Sequence, residues 1–506
     1  MDFAPCSPSP LRRLALAIPL ALALAGCPDG DSDSATSDTA SGTGTDTDTD
    51  TGGDEGQEEF GGGTRLKAIV WQPESGEPGF TGWHDSELDH ECEFRELSDG
   101  ALRCVPETFE APAQFYADAA CTQRVVALTQ VDEPPYPAYA WSSASPGTCD
   151  DAAGIDIHAT MGDVVSAVLY ELDDVDGCVE RQPDPIDHVL VGPAIDPATY
   201  VAATDTLDGG DARIRGVRRI ADDGSWSYVG AEDTQLAVAT RHRRTADGLE
   251  RWLPDDGVNY NARFFADAAC SEPVGGGPVA CAGPSQAYVN DRTPSTCGEL
   301  RTVYTGGDEL TEVYEQVGGS CDPATIGDFH FYAVGAAIPD ADFTEATLLT
   351  PGEGAGTVIN RYWSAEGSDL RERAGFIDTA HGGATCSVRD DPDGVRRCLP
   401  NALIDAPNFT FFTTADCTGP RIGLLPACLG DVPPYGSLRD ESCAEECSEV
   451  YTWSTEIDPT VTPLYRDQGT GMGCQPTNDL GDEYRYVELE PMDPVEWVSV
   501  TEVILD

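Results

Sequence analysis

The chain has 506 residues, 29 Lys plus Arg against 90 Asp plus Glu, and a formal net charge of −61. Such an acidic body repels nucleic acid and anionic lipid headgroups, which excludes both as partners of the folded part. Its 18 cysteines suit an oxidising, exported location better than the cytoplasm.

Residues 1–26 read as a targeting segment. Arg12 and Arg13 form a short positive region, and Leu14 to Ala25 is an apolar run too short to stay in a bilayer as a spanning helix. The run ends Leu24-Ala25-Gly26-Cys27, which closely resembles the lipobox of bacterial lipoproteins. The resemblance implies cleavage before Cys27, a diacylglyceryl group on its thiol and acylation of its amine. At ~0.8 kcal/mol per buried methylene, two or three acyl chains hold such a protein on a membrane. Pro28 is not the aspartate that retains such proteins at the inner membrane of enteric bacteria, so an outer-membrane address is expected.

Residues 27–63 read as the lipidated cysteine and a disordered acidic linker, rich in Asp, Thr, Ser and Gly. A segment this poor in large apolar side chains cannot offset its ordering entropy, and its like charges extend it. The Asp-Thr alternation lacks the Gly-punctuated loop and bidentate glutamate of a calcium site.

Beyond residue 63 one phrase recurs. Phe115 to Cys121 reads FYADAAC, Phe264 to Cys270 reads FFADAAC and Phe411 to Cys417 reads FFTTADC, at intervals of 149 and 147 residues. A fixed period of this kind marks repeated structural units. A second phrase precedes each: CEFRELSDGALRC from Cys92, TRHRRTADGLERW from Thr240 and CSVRDDPDGVRRC from Cys386. All three carry Asp-Gly at one offset, a hairpin signal because Gly supplies the positive φ. The copies are set at 64–209, 210–355 and 356–506. Short runs of Val, Tyr, Phe, Thr and Trp, broken by Gly, Pro, Asp and Asn, predict an all-β protein. Asp163 to Leu172 is the nearest approach to helical spacing. Two architectures fit: a six-bladed propeller with two four-stranded blades per copy, which is preferred, or three consecutive sandwiches.

The cysteines follow the copies. Cys92 with Cys104, and Cys386 with Cys398, flank the Asp-Gly turn, and the middle copy lacks both members, having Thr240 and Trp252. Paired absence is what a disulfide predicts, and the two cysteines are expected to face each other across the hairpin. The middle copy keeps four cysteines, for which the simplest pairing is Cys270–Cys281 with Cys297–Cys321. By analogy Cys417–Cys428, Cys149–Cys178, and Cys474 with Cys443 or Cys447 are expected, leaving Cys121 and one of Cys443 and Cys447 over.

Signatures of chemistry are sparse. The cluster of His84, His90 and Cys92 lacks the doublet spacing of zinc sites, and no metal or cofactor is expected. No Gly-x-Ser-x-Gly elbow, His-Glu-x-x-His or phosphate loop is found, so an enzyme is not expected. Asp391 to Gly394 resembles the opening of a calcium loop but aligns with the hairpin turn. Two basic clusters in the middle copy, Arg215 to Arg219 and Arg241 to Arg244, read as paired strand-edge charge rather than an anion site. The phrases C-x11-C-[LV]-P with internal Asp-Gly, then Phe-[FY]-x-x-A-x-Cys, look like an uncharacterised repeat of predicted lipoproteins in Gram-negative bacteria, over residues 64–506. That resemblance implies a periplasmic or surface place and no known activity. The resulting expectation is a lipid-anchored binding module of the outer membrane, held through Cys27, with a polysaccharide or envelope protein as ligand. A hydrolytic enzyme, carbohydrate-active or otherwise, with its site on a propeller axis, and a structural envelope component, are the alternatives.

Overall fold

The three Asp-Gly turns build the same local structure. Gly100, Gly248 and Gly394 take φ of 75°, 84° and 75°, a region closed to most side chains. In the computed structural model, residues 59–505 are described except 107–114, 129–137, 144–153, 165–167, 174–176, 182–186, 256, 279–286, 296–297, 326–328, 351–355, 402–410, 428–433, 441–446, 454, 468–472 and 478–483. Glu59–Asp506 form one contact unit. The class is all-β: among the described residues there are strands, three single 3-10 turns and no α-helix. Of Asp163 to Leu172, the first two residues end the strand Ile155–Val164 and the last four open the strand Leu169–Asp173.

Each copy opens with a four-stranded antiparallel meander. The first is Leu66–Pro73, Gly79–Asp85, His90–Glu96 and Leu102–Pro106. The second is Ile214–Ala221, Trp226–Asp233, Val238–Thr245 and Glu250–Pro254. The third is Val358–Ser364, Glu372–Asp378, Ala384–Asp390 and Arg396–Pro400. All three carry a bulge at the same place, leaving Thr81, Val229 and Ala374 outside the register. A bulge there increases the local twist.

The fifth strand of every sheet comes from another copy. Ala202–Leu207, at the end of the first copy, pairs with Ile214–Ala221. Thr347–Leu349, at the end of the second, pairs with Val358–Ser364. Val500–Ile504, at the end of the third, pairs with Leu66–Pro73 and closes the ring. Just before leaving, each segment also bridges its own meander, through Ala202 to Arg103, Glu345 to Arg251 and Ser499 to Arg397. Hydrogen bonding therefore passes from meander to meander and returns to the start, covering part of both edges of each meander among the described residues.

An arginine fixes each hand-over. Arg103, Arg251 and Arg397 donate to the carbonyls of Tyr200 (2.8 Å), Phe343 (3.0 Å) and Trp497 (3.0 Å), three buried aromatic residues at the crossing point. The guanidiniums are aimed by Asp99, Asp247 and Asp391, each 2.7 Å away. A fully buried aspartate, Asp85, Asp233 or Asp378, ends the second strand of each meander. Its carboxylate accepts two backbone N–H groups of the following turn and binds Arg65, Arg213 or His381.

The hairpin disulfides Cys92–Cys104 and Cys386–Cys398 lie in the cores between meanders. They run diagonally rather than straight across: Cys92 opposes Pro106 and Cys104 opposes Phe94, because the hairpin is centred one residue later than expected, at Asp99, which shifts each partner by two. In the middle copy Thr240 opposes Pro254, and Trp252, with no exposure, takes the place of the bridge in a core with Ala346, Ala365 and Leu370.

The second half of each copy carries further sheet. In the first it has seven strands, with Phe115–Tyr116 and Arg124–Leu128 at its centre. In the middle copy five strands close on themselves: Val258–Phe265, Pro273–Pro278, Phe329–Ala337, Gly298–Glu309 and Tyr288–Ser295, the last returning in parallel to the first. Val258 and Val289 fill this barrel opposite Gly275, where an added Cβ would lie 2.7 Å and 2.8 Å from their methyl groups.

The repeated phrase is a tight loop. Asp118 accepts the N–H groups of Thr122 and Gln123, and Asp267 those of Ser271 and Glu272. The cysteine that ends the loop takes a positive φ of 51°, 51° or 55°. These cysteines correct the expected pairing. The bridges are Cys121–Cys178, Cys270–Cys321 and Cys417–Cys474, one per copy, joining the loop to the turn of a neighbouring hairpin. Cys270–Cys281, Cys297–Cys321, Cys417–Cys428, Cys149–Cys178 and a bond from Cys474 to Cys443 or Cys447 are therefore not formed, and Cys121 is not left over. Short separation was the wrong guide, because strands far apart in sequence adjoin in the sheet. Cys447 is also disulfide-bonded. Cys149, Cys281, Cys297, Cys428 and Cys443 lie outside the described residues.

The boundary at residue 63 also moves. Phe60–Gly61 pairs with Trp226 and Ser227 of the second meander, Phe60 stacks on Phe80 of the first at 5.0 Å, and Glu59 accepts from Tyr362 of the third at 3.3 Å. One large aromatic residue is enough to seat this end of an otherwise polar segment.

Two outcomes follow. Removing residues 500–506 uncovers the edge of Leu66–Pro73, and the shortened chain is expected to self-associate in light scattering while the full chain does not; equal behaviour would count against the closure. Burial pulls the carboxyls of Asp85, Asp223 and Asp391 up, but hydrogen bonds from Arg65, from backbone N–H groups including Leu66, and from Arg397 outweigh it and leave all three below 3.8. Carboxyls depressed by folding contribute stability that is present above that value and lost as pH falls through the lower folded values. Urea midpoints should hold from neutral pH down to about 5 and drop below about 4, with a smaller drop in Asp85→Asn.

Candidate functional site

The two basic clusters of the middle copy meet different fates. In the first, Arg219 is buried and binds Asp205 through two hydrogen bonds of 2.7 and 2.8 Å. Arg218 reaches Asp208 at 2.6 Å and lies 4.4 Å from the centre of the Trp226 ring. Both are paired, as expected of strand-edge charge.

The second cluster is not so paired. Arg241 and Arg243 share one face of the strand Val238–Thr245. Asp255 faces them at 3.6 and 3.7 Å, beyond hydrogen-bonding distance. Two arginines remote in sequence join them. Arg292 and Arg301 are direct partners across the antiparallel pair Tyr288–Ser295 and Gly298–Glu309. Arg301 has a side chain only 9% exposed, binds Glu299 at 2.8 Å through one terminal nitrogen, and keeps a buried Nε without a partner. Burial, then the charge of Arg292, hold its pKa below the ordinary arginine value; burial does the same to Arg243.

These side chains line a pocket of about 100 Å³ between the outer face of the closed barrel, opposite to the one that Val258 and Val289 fill, and the hairpin of the second meander. Arg243, Arg292 and Arg301 supply the charge, Asn259 and Asn290 the amides, and Leu253, Pro254 and Gly257 the floor.

The other copies show what the scaffold alone requires. The register sets Arg301 against Ile155 and Ser448, and Asn290 against Trp141 and Ser437. In the first copy Trp141 and Ile155 pack with Leu97, Val105 and Tyr200 and leave an apolar plug. In the third, Arg389 stands where Arg243 does and donates to Ser437 at 2.9 Å. Arg241 corresponds to Glu93, a reversal of charge. Only the middle copy, among the described residues, combines these substitutions.

Other candidates are weaker. Ser142 Oγ lies 2.9 Å from His158 Nε2, whose Nδ1 meets the Gly192 carbonyl at 3.0 Å, but both side chains are buried and satisfied. Of the histidine and cysteine cluster, Cys92 is spent in a disulfide and His84 lies 3.6 Å from Asp89. Among the described residues no group of three His, Cys, Asp or Glu is placed to hold a metal. Cys27 lies outside the described residues.

Comparison with known proteins adds one finding. The profile of a family of unknown function, DUF7481, matches residues 50–328, more than half of the chain. The chain belongs to this family. The DUF7481 match takes in the first two meanders, four of the five barrel strands and the arginine pocket, and stops just before the remaining barrel strand, Phe329–Ala337. No curated protein matches the chain. No solved structure matches it either.

Basic clustering hinted at Arg241 and Arg243, whereas Arg292 and Arg301 carried no signal until strand register brought them together. If the pocket is not a stability device, Arg301→Ile, the first copy's residue, should fold with an unfolding free energy equal to or above the parent's. Replacing a buried ionic group by apolar packing is commonly neutral or stabilising by about 1–4 kcal/mol. A loss above about 3 kcal/mol in urea titration would instead make Arg301 a structural residue.

Proposed function

We propose that the chain is a lipid-anchored binding module of the cell envelope, tethered through Cys27 at the outer membrane by a polar stalk. The observation that carries the binding role is the arginine-lined pocket, a polar recess that the same scaffold fills or ties up elsewhere. Five described disulfides favour an oxidising compartment. The seating of Glu59 to Gly61 among all three meanders supports a tether that pulls on the whole ring rather than on one copy.

Strand exchange between copies favours a ring over a row of separate sandwiches. In the six-bladed propeller reading the three meanders are one blade of each copy, each completed by a neighbour's strand. A binding role is preferred to catalysis because the pocket offers a single carboxylate, Asp255, and no nucleophile beside a base.

Labelling cells with radioactive palmitate tests the tether. The parent chain should take up label and fractionate with membranes, and Cys27→Ala should do neither. A Cys27→Ala chain that stays membrane-bound, or a parent without label, defeats the anchor.

A further inference from the structure

We propose that the pocket between the barrel's outer face and the second meander of the middle copy recognises a single carboxylate on an otherwise neutral, polar ligand. This deepens the binding-module reading and rests on it.

The chemistry of the lining sets the class. Guanidiniums present paired N–H donors in one plane, the complement of an oxyanion with two acceptors. Arg301 is the fixed element: it is over nine-tenths buried, and its Nε has no partner. A buried donor left unpaired costs free energy that a bound oxyanion recovers. Arg292 lies directly across from it in register, and its nearest carboxylate, Glu299, is 3.7 Å away. Asn290 uses its amide on the Pro254 carbonyl, at 3.2 Å, so its side-chain oxygen remains to accept a hydroxyl or amide of the ligand.

Charge selects one negative charge rather than several. Four guanidiniums, Arg241, Arg243, Arg292 and Arg301, are set against three carboxylates, Asp255, Glu299 and Glu372, leaving one positive charge locally. A monoanion cancels that excess. A dianion overshoots it, and a polyanion brings further charges against a body of −61. The volume, about 100 Å³, admits a carboxylate and its immediate carbon frame, with the rest of the ligand outside.

The test titrates the full chain by calorimetry with glucuronate, glucose and inorganic phosphate. Glucuronate should bind once per chain, glucose not measurably, and phosphate more weakly than glucuronate; raising salt should weaken the glucuronate signal. Arg301→Ile should lower the affinity by about tenfold or more, the usual scale for removing one partner of a buried charged contact. Two surface changes guard against a folding defect. Arg292→Gln and Arg241→Glu should each weaken glucuronate while leaving the thermal transition in place. Glucuronate binding that is absent or indifferent to all three substitutions overturns the proposal, and so does glucose binding as well as glucuronate. Phosphate binding more tightly than glucuronate overturns the choice of a monoanionic carboxylate. Palmitate labelling is unaffected by any of these results, so a failed pocket and a failed membrane tether are told apart.

Discussion

The structure depends on a strand given away. Each copy ends in a segment that first pairs with its own hairpin and then joins the sheet of the next copy, and the third returns to the first. No meander is complete without a neighbour, so none is a self-sufficient domain. The arrangement meets two constraints at once. It covers edges that would otherwise template aggregation, and it makes the order of the copies part of their stability. The arginine that seizes the carbonyl at each crossing is the local device that holds the geometry.

Given that frame, the chemistry between meanders is interchangeable. Two interfaces hold a disulfide and one holds Trp252, yet all three put a large, buried, uncharged group at one register position. The buried aspartate at the end of the second strand is likewise constant, while its partner changes from Arg65 and Arg213 to His381. Thr357 occupies the place of those arginines in the third copy, and a histidine from the far side of the turn substitutes. What is kept is the satisfied carboxylate, because leaving it unpaired in the core is costly.

Much of this was legible in the residues. The period, the all-β texture and the Asp-Gly hairpins follow from local rules, and local rules survive in the fold. The loss of both Cys92 and Cys104 counterparts in the middle copy marked a real bridge. Cys121 and Cys178 and their equivalents, two of the three cysteine positions that every copy shares, are bonded to each other in each copy. Counting shortest loops led elsewhere, since sequence distance says little about neighbours in a sheet of seven strands. The strand exchange was hidden for a related reason: Ala202–Leu207 reads the same whichever sheet receives it. The pocket was hidden more deeply, because it exists only where register places Arg292 opposite Arg301 beneath Arg243.

A ring of three copies also explains why a site would arise in one of them alone. Closure needs the backbone of every copy and the aromatic residues at the crossings, but it does not need the positions of Asn290 and Arg301, which are Trp141 and Ile155 in the first copy. Those positions can change without opening the ring. The surrounding acidity then becomes part of the recognition. At physiological salt the field of a charge is screened over about 8 Å, so an arginine cluster governs what happens inside the pocket while the acidic exterior governs what approaches it. A small, singly charged ligand crosses that exterior at little cost, and a polyanion is turned back before it reaches the guanidiniums.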